Sequence, residues 1–480
     1  MQATLLTTLL ERGEELFHDA VQRAWPLDAE AAFGALPTPL RLHADPRFTG
    51  RGVTIAIADS GFAAHPDLIH PTNRVRVWVD ASRAPTTVRV FAAEVSPAWP
   101  DSNAARNHQW HGTMTSVVAA GNGFSSHGLY RGLAPDAELV LLHLTDADGR
   151  ITDQSILRAL TWIEEQAERY GIRVVSLSVA GDAPAETMLG PIERAVERLI
   201  AAGITVLAAA GNDGQRHLVP PATAPSVITV GGLDDRNTLD HHSRQLWHSN
   251  FGDSATGTPK PELVAPSLWV VAPVLPGSAV AREATTLFAQ RGVQDHEARI
   301  SELKLVTPDY QHVDGTSFAA PITAATVAAM LEANPRLTPR LIRELLIRSA
   351  HPVPGALPER QGAGALDAGR AVALAVLERH GWDGPSPFTP LVTAAGAVFR
   401  LHDDAAADVA VFGSWSDWRQ ASPCHQLEPG LWSTEPMSLR PGEYQYKLKI
   451  DGQLWLTDPT NPWRVPDGLG GINSRFRWLA

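Results

Sequence analysis

One cysteine in 480 residues, Cys424, rules out an intrachain disulfide, so the fold does not depend on an oxidising compartment. Basic charge is also short, with 40 lysines and arginines against 52 aspartates and glutamates and a formal net charge of −12. That balance disfavours nucleic acid or an anionic membrane surface as a partner. No apolar run reads as long enough to span a bilayer. The opening stretch Met1-Gln2-Ala3-Thr4-Leu5-Leu6-Thr7-Thr8-Leu9-Leu10 lacks a basic start and breaks into Glu11-Arg12-Gly13-Glu14-Glu15. The expectation is therefore no signal peptide and a cytoplasmic protein. No aspartate-rich loop has a spacing that names calcium ligands, and the pair His241-His242 reads as solvated rather than ligating.

What is present is apolar material for more than one core, at 44% of residues, and a length that suggests two or three domains. Within it, Asp314-Gly315-Thr316-Ser317-Phe318-Ala319-Ala320-Pro321 places a serine where a loop turns into an apolar helix. Gly315 permits a tight turn, and the small residues after Ser317 let the helix approach its neighbours. A hydroxyl there sits near the positive end of a helix dipole, where backbone N–H groups would stabilise an oxyanion; the same pattern also serves as an ordinary cap. The run Val53-Thr54-Ile55-Ala56-Ile57-Ala58 reads as a buried parallel strand that ends in Asp59-Ser60-Gly61, and chemistry collects at the carboxyl ends of such strands. His111, in Trp110-His111-Gly112-Thr113-Met114, opens a second small-residue helix as either a base or a surface cap. A further buried strand, Ile204 to Ala210, closes in Gly211-Asn212-Asp213-Gly214. The Asn212 amide is placed there either to donate to an oxyanion or only to make a turn.

Four such blocks in this order resemble the subtilisin-like serine proteases, the subtilases, over roughly residues 45–375. The resemblance implies an α/β fold of three layers with a mainly parallel sheet, and a serine endopeptidase that works through an acyl-enzyme. Carried over, Ser317 would be the nucleophile, His111 the general base and then acid, and Asp59 the group that orients the imidazole and stabilises its cation. Asn212 would supply the oxyanion amide together with the Ser317 backbone N–H. The peptide would add as a strand along Ser176-Leu177-Ser178-Val179-Ala180-Gly181, with Ser178, Val179, Ala180 and Gly181 as the binding segment. Ala180, where the family usually has glycine, would crowd the floor of the first specificity pocket or shift the peptide slightly. Val219-Pro220-Pro221 would form its far wall, with Pro221 the candidate for the cis proline the family often carries there. No cofactor is required by the resemblance; structural calcium, common in the family, stays unassigned. Residues 70–108, including Trp99-Pro100-Asp101-Ser102, and residues 276–308 read as insertions whose long loops lie on the functional face, where substrate restriction resides. Residues 1–44, with Leu5, Leu9, Leu10 and Phe17, read as a helical extension, either inhibitory or structural, ahead of a peptidase domain over 45–380.

A Gly- and Pro-rich linker, residues 381–390, separates that region from residues 391–480, where short alternating strands and turns predict an antiparallel β-sandwich. This part resembles the glycogen- and starch-binding modules of the AMP-activated kinase β-subunit and of branching enzymes, through Val411-Phe412-Gly413-Ser414-Trp415-Ser416-Asp417-Trp418, Pro441-Gly442-Glu443-Tyr444-Gln445-Tyr446-Lys447 and Asn473-Ser474-Arg475-Phe476. The resemblance implies an immunoglobulin-like sandwich in which Trp418 and Trp455 stack on glucose rings while Lys447 and Asn473 bond their hydroxyls; the rival for the two tryptophans is a place in the core. The whole chain thus reads as an endopeptidase acting on protein or peptide, with an α-glucan tether. The alternative is a catalytically silent glycan- or protein-binding scaffold. Val219 in the far wall predicts a pocket for small or medium apolar side chains, so cleavage-site profiling in a peptide library should return these, and dominance of large aromatic or basic residues contradicts it.

Overall fold

The computed structural model describes residues 35–92, 109–181, 189–240, 243–290, 294–379, 390–393, 396–403, 405–440, 442–458, 461, 464–469 and 471–478. Several expectations fall outside them: the helix read over Leu5 to Phe17, Trp99 to Ser102, the pair His241-His242, and nearly all of the linker. The chain divides into two units, Met1–His380 and Gly381–Ala480.

In the first unit, Thr54–Asp59 (β1) is buried at every position, as a strand must be when its sheet is covered on both faces. Val75–Asp80 (β2), Glu138–His143 (β4), Ile172–Leu177 (β5), Thr205–Ala209 (β6) and Ile228–Asp234 (β7) join it, while Thr87–Val90 (β3) and Gln245–Leu246 (β8) pair antiparallel with β2 and β7. A short ladder of Gly252–Asp253 (β9) and Pro259–Lys260 (β10) precedes the last parallel strand, Leu263–Pro266 (β11). The sheet runs β11-β7-β6-β5-β1-β4-β2-β3. Its winding reverses at β1, whose carboxyl end is therefore the switch point where a crevice opens.

Residues alternate between the faces of a strand. Ala56, Ala58, Val140, Leu142, Val175, Leu177, Val206 and Ala208 share one apolar cluster with Ile156, Leu160 and Ile163 of the helix Asp153–Tyr170 and with Val196 and Leu199 of the helix Pro191–Ala201. Ile55, Ile57, Leu139 and Leu141 take the opposite face, and across it lies the helix Thr316–Ala333, in contact with β1, β5, β6, β7 and β11. These are the three layers of the subtilisin-like fold. The helix Thr316–Ala333 corrects one expectation: by length and composition it is apolar enough to cross a membrane, but 89% of that stretch is buried inside the protein.

Both insertions also differ from the loops expected of them. Within residues 70–108, Val75–Asp80 is an integral strand of the parallel sheet, and Thr87–Val90 is its antiparallel edge. The segment over 276–308 is mostly ordered as two helices, Ala279–Ala289 and Gln294–Glu302. They close over Val274, Ala284, Leu287, Ile300 and Leu305. Leucines and alanines interspersed among the charges supply this small core, which a reading by charge alone overlooks. The strands Val270–Pro273 (β12), Leu305–Thr307 (β13) and Tyr310–Val313 (β14) form an antiparallel sheet that leads into Gly315. The described end of the N-terminal stretch is anchored, with Arg41 wholly buried, its Nη1 donating to Asp235 at 2.5 Å and its Nη2 to the Trp269 carbonyl at 3.1 Å.

The second unit is antiparallel throughout. Leu391–Thr393 (β15) and Gly396–Val398 (β16) form one hairpin, and the larger sheet takes the order β17-β20-β19-β18-β21-β24-β23, with β22 on β21. These strands are Arg400–His402 (β17), Val409–Gly413 (β18), Ser422–Glu428 (β19), Leu431–Thr434 (β20), Gly442–Ile450 (β21), Leu454–Leu456 (β22), Arg464–Pro466 (β23) and Ile472–Trp478 (β24). They close as a β-sandwich over Phe399, Val411, Trp432, Tyr446, Leu448 and Phe476. Cys424 belongs to this core, where burial pushes its thiol up to about 12.

Candidate active site

Asp59 ends β1 and is completely buried. A buried carboxylate needs hydrogen bonds in place of water, and three groups provide them. Oδ1 accepts the Ser60 N–H at 2.5 Å and His111 Nδ1–H at 2.7 Å, and Oδ2 accepts the Thr115 hydroxyl at 2.9 Å. His111 comes from the first turn of the helix Gln109–Ala120, with its side chain 20% exposed. Burial pushes this imidazole down, but the charge and hydrogen bond of Asp59 outweigh burial and leave it above its ordinary value.

The helix reaches Asp59 because of Gly112. A Cβ there would run into the Gly61 carbonyl oxygen and the Phe62 ring, with the Asp59 Cβ at 3.1 Å. On the other side of His111 lies Phe318, at 5.8 Å between ring centroids. That contact brings the first turn of the helix Thr316–Ala333, through Phe318, up to the imidazole. The turn before this helix needs glycine, since Gly315 has φ 134°, a region L-residues avoid.

Asn212 follows β6 in the same place. Its Oδ1 accepts both the Thr316 N–H at 3.0 Å and the Thr316 hydroxyl at 2.8 Å. With the oxygen occupied, the amide nitrogen faces Gly315, 3.5 Å from where a Cβ would stand. An N–H donor thus lies next to the helix N-terminus, whose own first N–H groups lack intrahelical partners. The segment read as peptide-binding is also adjacent: the Ser178 hydroxyl donates to the Ser317 carbonyl at 2.8 Å, and Gly181 N–H donates to the Pro220 carbonyl at 2.7 Å. Val179 is buried, Ala180 is exposed, Val219 is half-buried, and the Pro220–Pro221 bond is cis. Residue reasoning missed Thr115, for which spacing offered a signal, four residues beyond His111 on one helix. It also left Trp110 without a role; this ring is 46% exposed and meets the His111 ring edge-on at 5.2 Å. Among the described residues no group of three or more metal-ligating side chains occurs.

In the second unit Trp455 is 45% exposed on β22. Lys449 Nζ lies 5.0 Å from its ring centroid and Phe412 meets it edge-on at 5.1 Å. Lys447 Nζ donates to Asp467 at 2.7 Å, and Asn473 Nδ2, buried, donates to Gln445 at 2.9 Å. Trp418 is half-buried in a left-handed turn after the Ser414–Ser416 segment. Trp455 therefore offers an open ring, while Lys447 and Asn473 already hold protein partners. Sequence reasoning did not single out Leu469, the most exposed large apolar side chain described, at 94%; it lies two residues from Asp467, which accepts its N–H.

Gly112→Ala should remove peptidase activity and lower the melting temperature, because the methyl meets backbone and not a movable side-chain end. Unchanged melting and activity would contradict the close approach.

Residues 50–364 match the family model of the subtilase family, and residues 397–474 match that of the glycogen recognition site of AMP-activated protein kinase. The serine protease AprX of Bacillus subtilis (strain 168) is 31% identical over 332 residues, which cover 68% of this chain and 67% of AprX. Subtilisin BL of Lederbergia lenta is 28% identical over 302 residues, 63% of this chain and 84% of that protein. The solved structure of sphericase, 24% identical, superposes with a TM-score of 0.47 over 63% of this chain and 84% of its own. The family match over most of the chain, together with the AprX relationship, establishes that this protein belongs to the subtilase family and is a subtilisin-like serine endopeptidase.

Proposed function

We propose that peptide hydrolysis proceeds through an Asp59–His111–Ser317 triad with Asn212 at the oxyanion. The reading rests above all on the 2.7 Å hydrogen bond from His111 Nδ1 to the buried Asp59, beside a helix that begins at Thr316-Ser317. With Nδ1 committed to Asp59, Nε2 is the nitrogen left to take the Ser317 proton as Oγ attacks the scissile carbonyl. The developing oxyanion accepts from Asn212 Nδ2 and the Ser317 N–H, donors already held in place. His111 then gives the proton to the leaving amine, and water hydrolyses the acyl-enzyme by the same route reversed. The substrate adds as a strand along Ser178–Gly181, which the Ser178 hydroxyl ties to the backbone of the nucleophile.

A base must be neutral to act, so activity falls as pH drops through the His111 pKa. Because Asp59 holds that value up, the acidic limb of kcat/KM should lie above the ordinary imidazole value of about 6.5. Ser317→Ala should lose on the order of 10⁴-fold or more in kcat with its fold intact. A limb below that value, or activity that survives without Ser317, contradicts the triad.

The second unit supports a further part of the reading, an α-glucan tether that raises the local concentration of substrates held on the same particle. The support is Trp455, whose indole is steadied by Lys449 and Phe412 and keeps an open side for the C–H face of a pyranose. Glycogen co-sedimentation should be lost in the full chain carrying Trp455→Ala while peptidase activity in free solution persists. Equal co-sedimentation of wild type and variant contradicts the assignment.

A further inference from the structure

His111 and Thr115 stand four residues apart on the helix Gln109–Ala120, one above the other on the same face. That face serves the two oxygens of one carboxylate separately, His111 on Asp59 Oδ1 and Thr115 on Oδ2, at 2.7 and 2.9 Å. Asp59 and Thr115 are both fully buried, so this hydroxyl takes the place of water. It also lies 3.1 Å from the Gly112 carbonyl oxygen, but the ionised carboxylate is nearer and the stronger acceptor.

We propose that Thr115 is a positioning residue for the peptidase reaction: its hydroxyl fixes Asp59 Oδ2, so that Oδ1 stays turned toward His111 through the cycle. The inference rests on the triad reading above. A carboxylate held through one oxygen can swing about its Cβ–Cγ bond; a donor on the second oxygen resists that motion. Both side-chain donors rise from one helix, so a shift of the helix carries them together and keeps their spacing. The charge on His111 comes and goes as Nε2 gains and loses its proton during turnover, while the Thr115 hydroxyl, like the Ser60 N–H on Oδ1, is a constant partner for a charge that water does not reach. Valine has nearly the same shape and lacks only the hydroxyl, and serine keeps the hydroxyl, so the role can be separated from packing.

The test uses the full chain with Thr115→Val, Thr115→Ser and Ser317→Ala. It measures kcat and KM on a peptide p-nitroanilide, the pH profile of kcat/KM, and the low-field proton resonance of the Asp59–His111 hydrogen bond. Thr115→Val should lower kcat about tenfold with KM unchanged. Its acidic limb should move to higher pH, because a carboxylate with one donor fewer holds the imidazolium proton more tightly, and the low-field resonance should move as well. Thr115→Ser should restore all three. A valine variant with wild-type kcat, limb and resonance overturns the proposal, as does a serine variant as impaired as the valine one. Should hydrolysis survive in Ser317→Ala, the triad reading fails instead. The resonance needs no turnover and then decides by itself: moved by valine and not by serine, it upholds the Thr115 contact; unmoved by valine, it overturns it.

Discussion

Asp59 holds a charge out of reach of water at the carboxyl end of the central strand. Leaving a carboxylate unsolvated costs several kcal/mol unless polar groups replace the lost water, so its three donors are requirements of the fold as well as parts of a site. One comes from the chain's own continuation at Ser60 and two from successive turns of a single helix. Bringing that helix close enough leaves no room for a side chain at Gly112, whose place is bounded by the Gly61 carbonyl and the Phe62 ring. The chemistry of the site and the packing of the layer above the sheet are thus one constraint.

The same economy holds at the neighbouring helix. Thr316 uses both its backbone N–H and its hydroxyl to hold Asn212 Oδ1, while the hydroxyl accepts the Gly211 N–H at 3.1 Å. One residue therefore locks the end of β6 to the start of the helix that bears Ser317. An amide fixed in this way points its N–H group without needing to reorganise when charge develops, which is the condition for effective oxyanion stabilisation. The run of alanines beyond Ser317 lets this helix lie against five strands at once, so the body of the helix is held by the core while its N-terminus is tied to the turn after β6.

Much of this was legible in the residues, because each block combines a strand or helix signal with one chemically distinctive side chain. Val53 to Ala58 is apolar without alternation, and β1 is indeed buried on both faces. Gly315 before Thr316-Ser317 signalled a turn, and φ 134° is what it provides. Thr115 was hidden because a threonine in a helix of small residues looks like filling; its spacing from His111 puts it on the same face, and its reach to Asp59, 56 positions earlier, gives that spacing meaning. The segment over 276–308 was misread because its charges, such as Arg299 bonded to Glu283 at 2.6 Å, mask a small core on the other side of both helices. In the second unit the short strands were clear from alternation and turns. The engagement of Lys447 by Asp467 was not, since that contact spans 20 positions and a loop between β23 and β24.

Two units with separate cores carry two kinds of surface, one built around a buried charge and the other around an open indole ring. The first bears the central claim, that the buried Asp59 carboxylate prepares His111 to activate one serine and no other. The most direct measurement is labelling of the full chain with a fluorophosphonate, followed by mass-spectrometric mapping of the modified residue, beside Asp59→Asn. The account predicts a single phosphonylated serine, Ser317, with labelling slowed by orders of magnitude when Asp59 becomes an amide. Labelling elsewhere, or at Ser317 with an unchanged rate in Asp59→Asn, would contradict it.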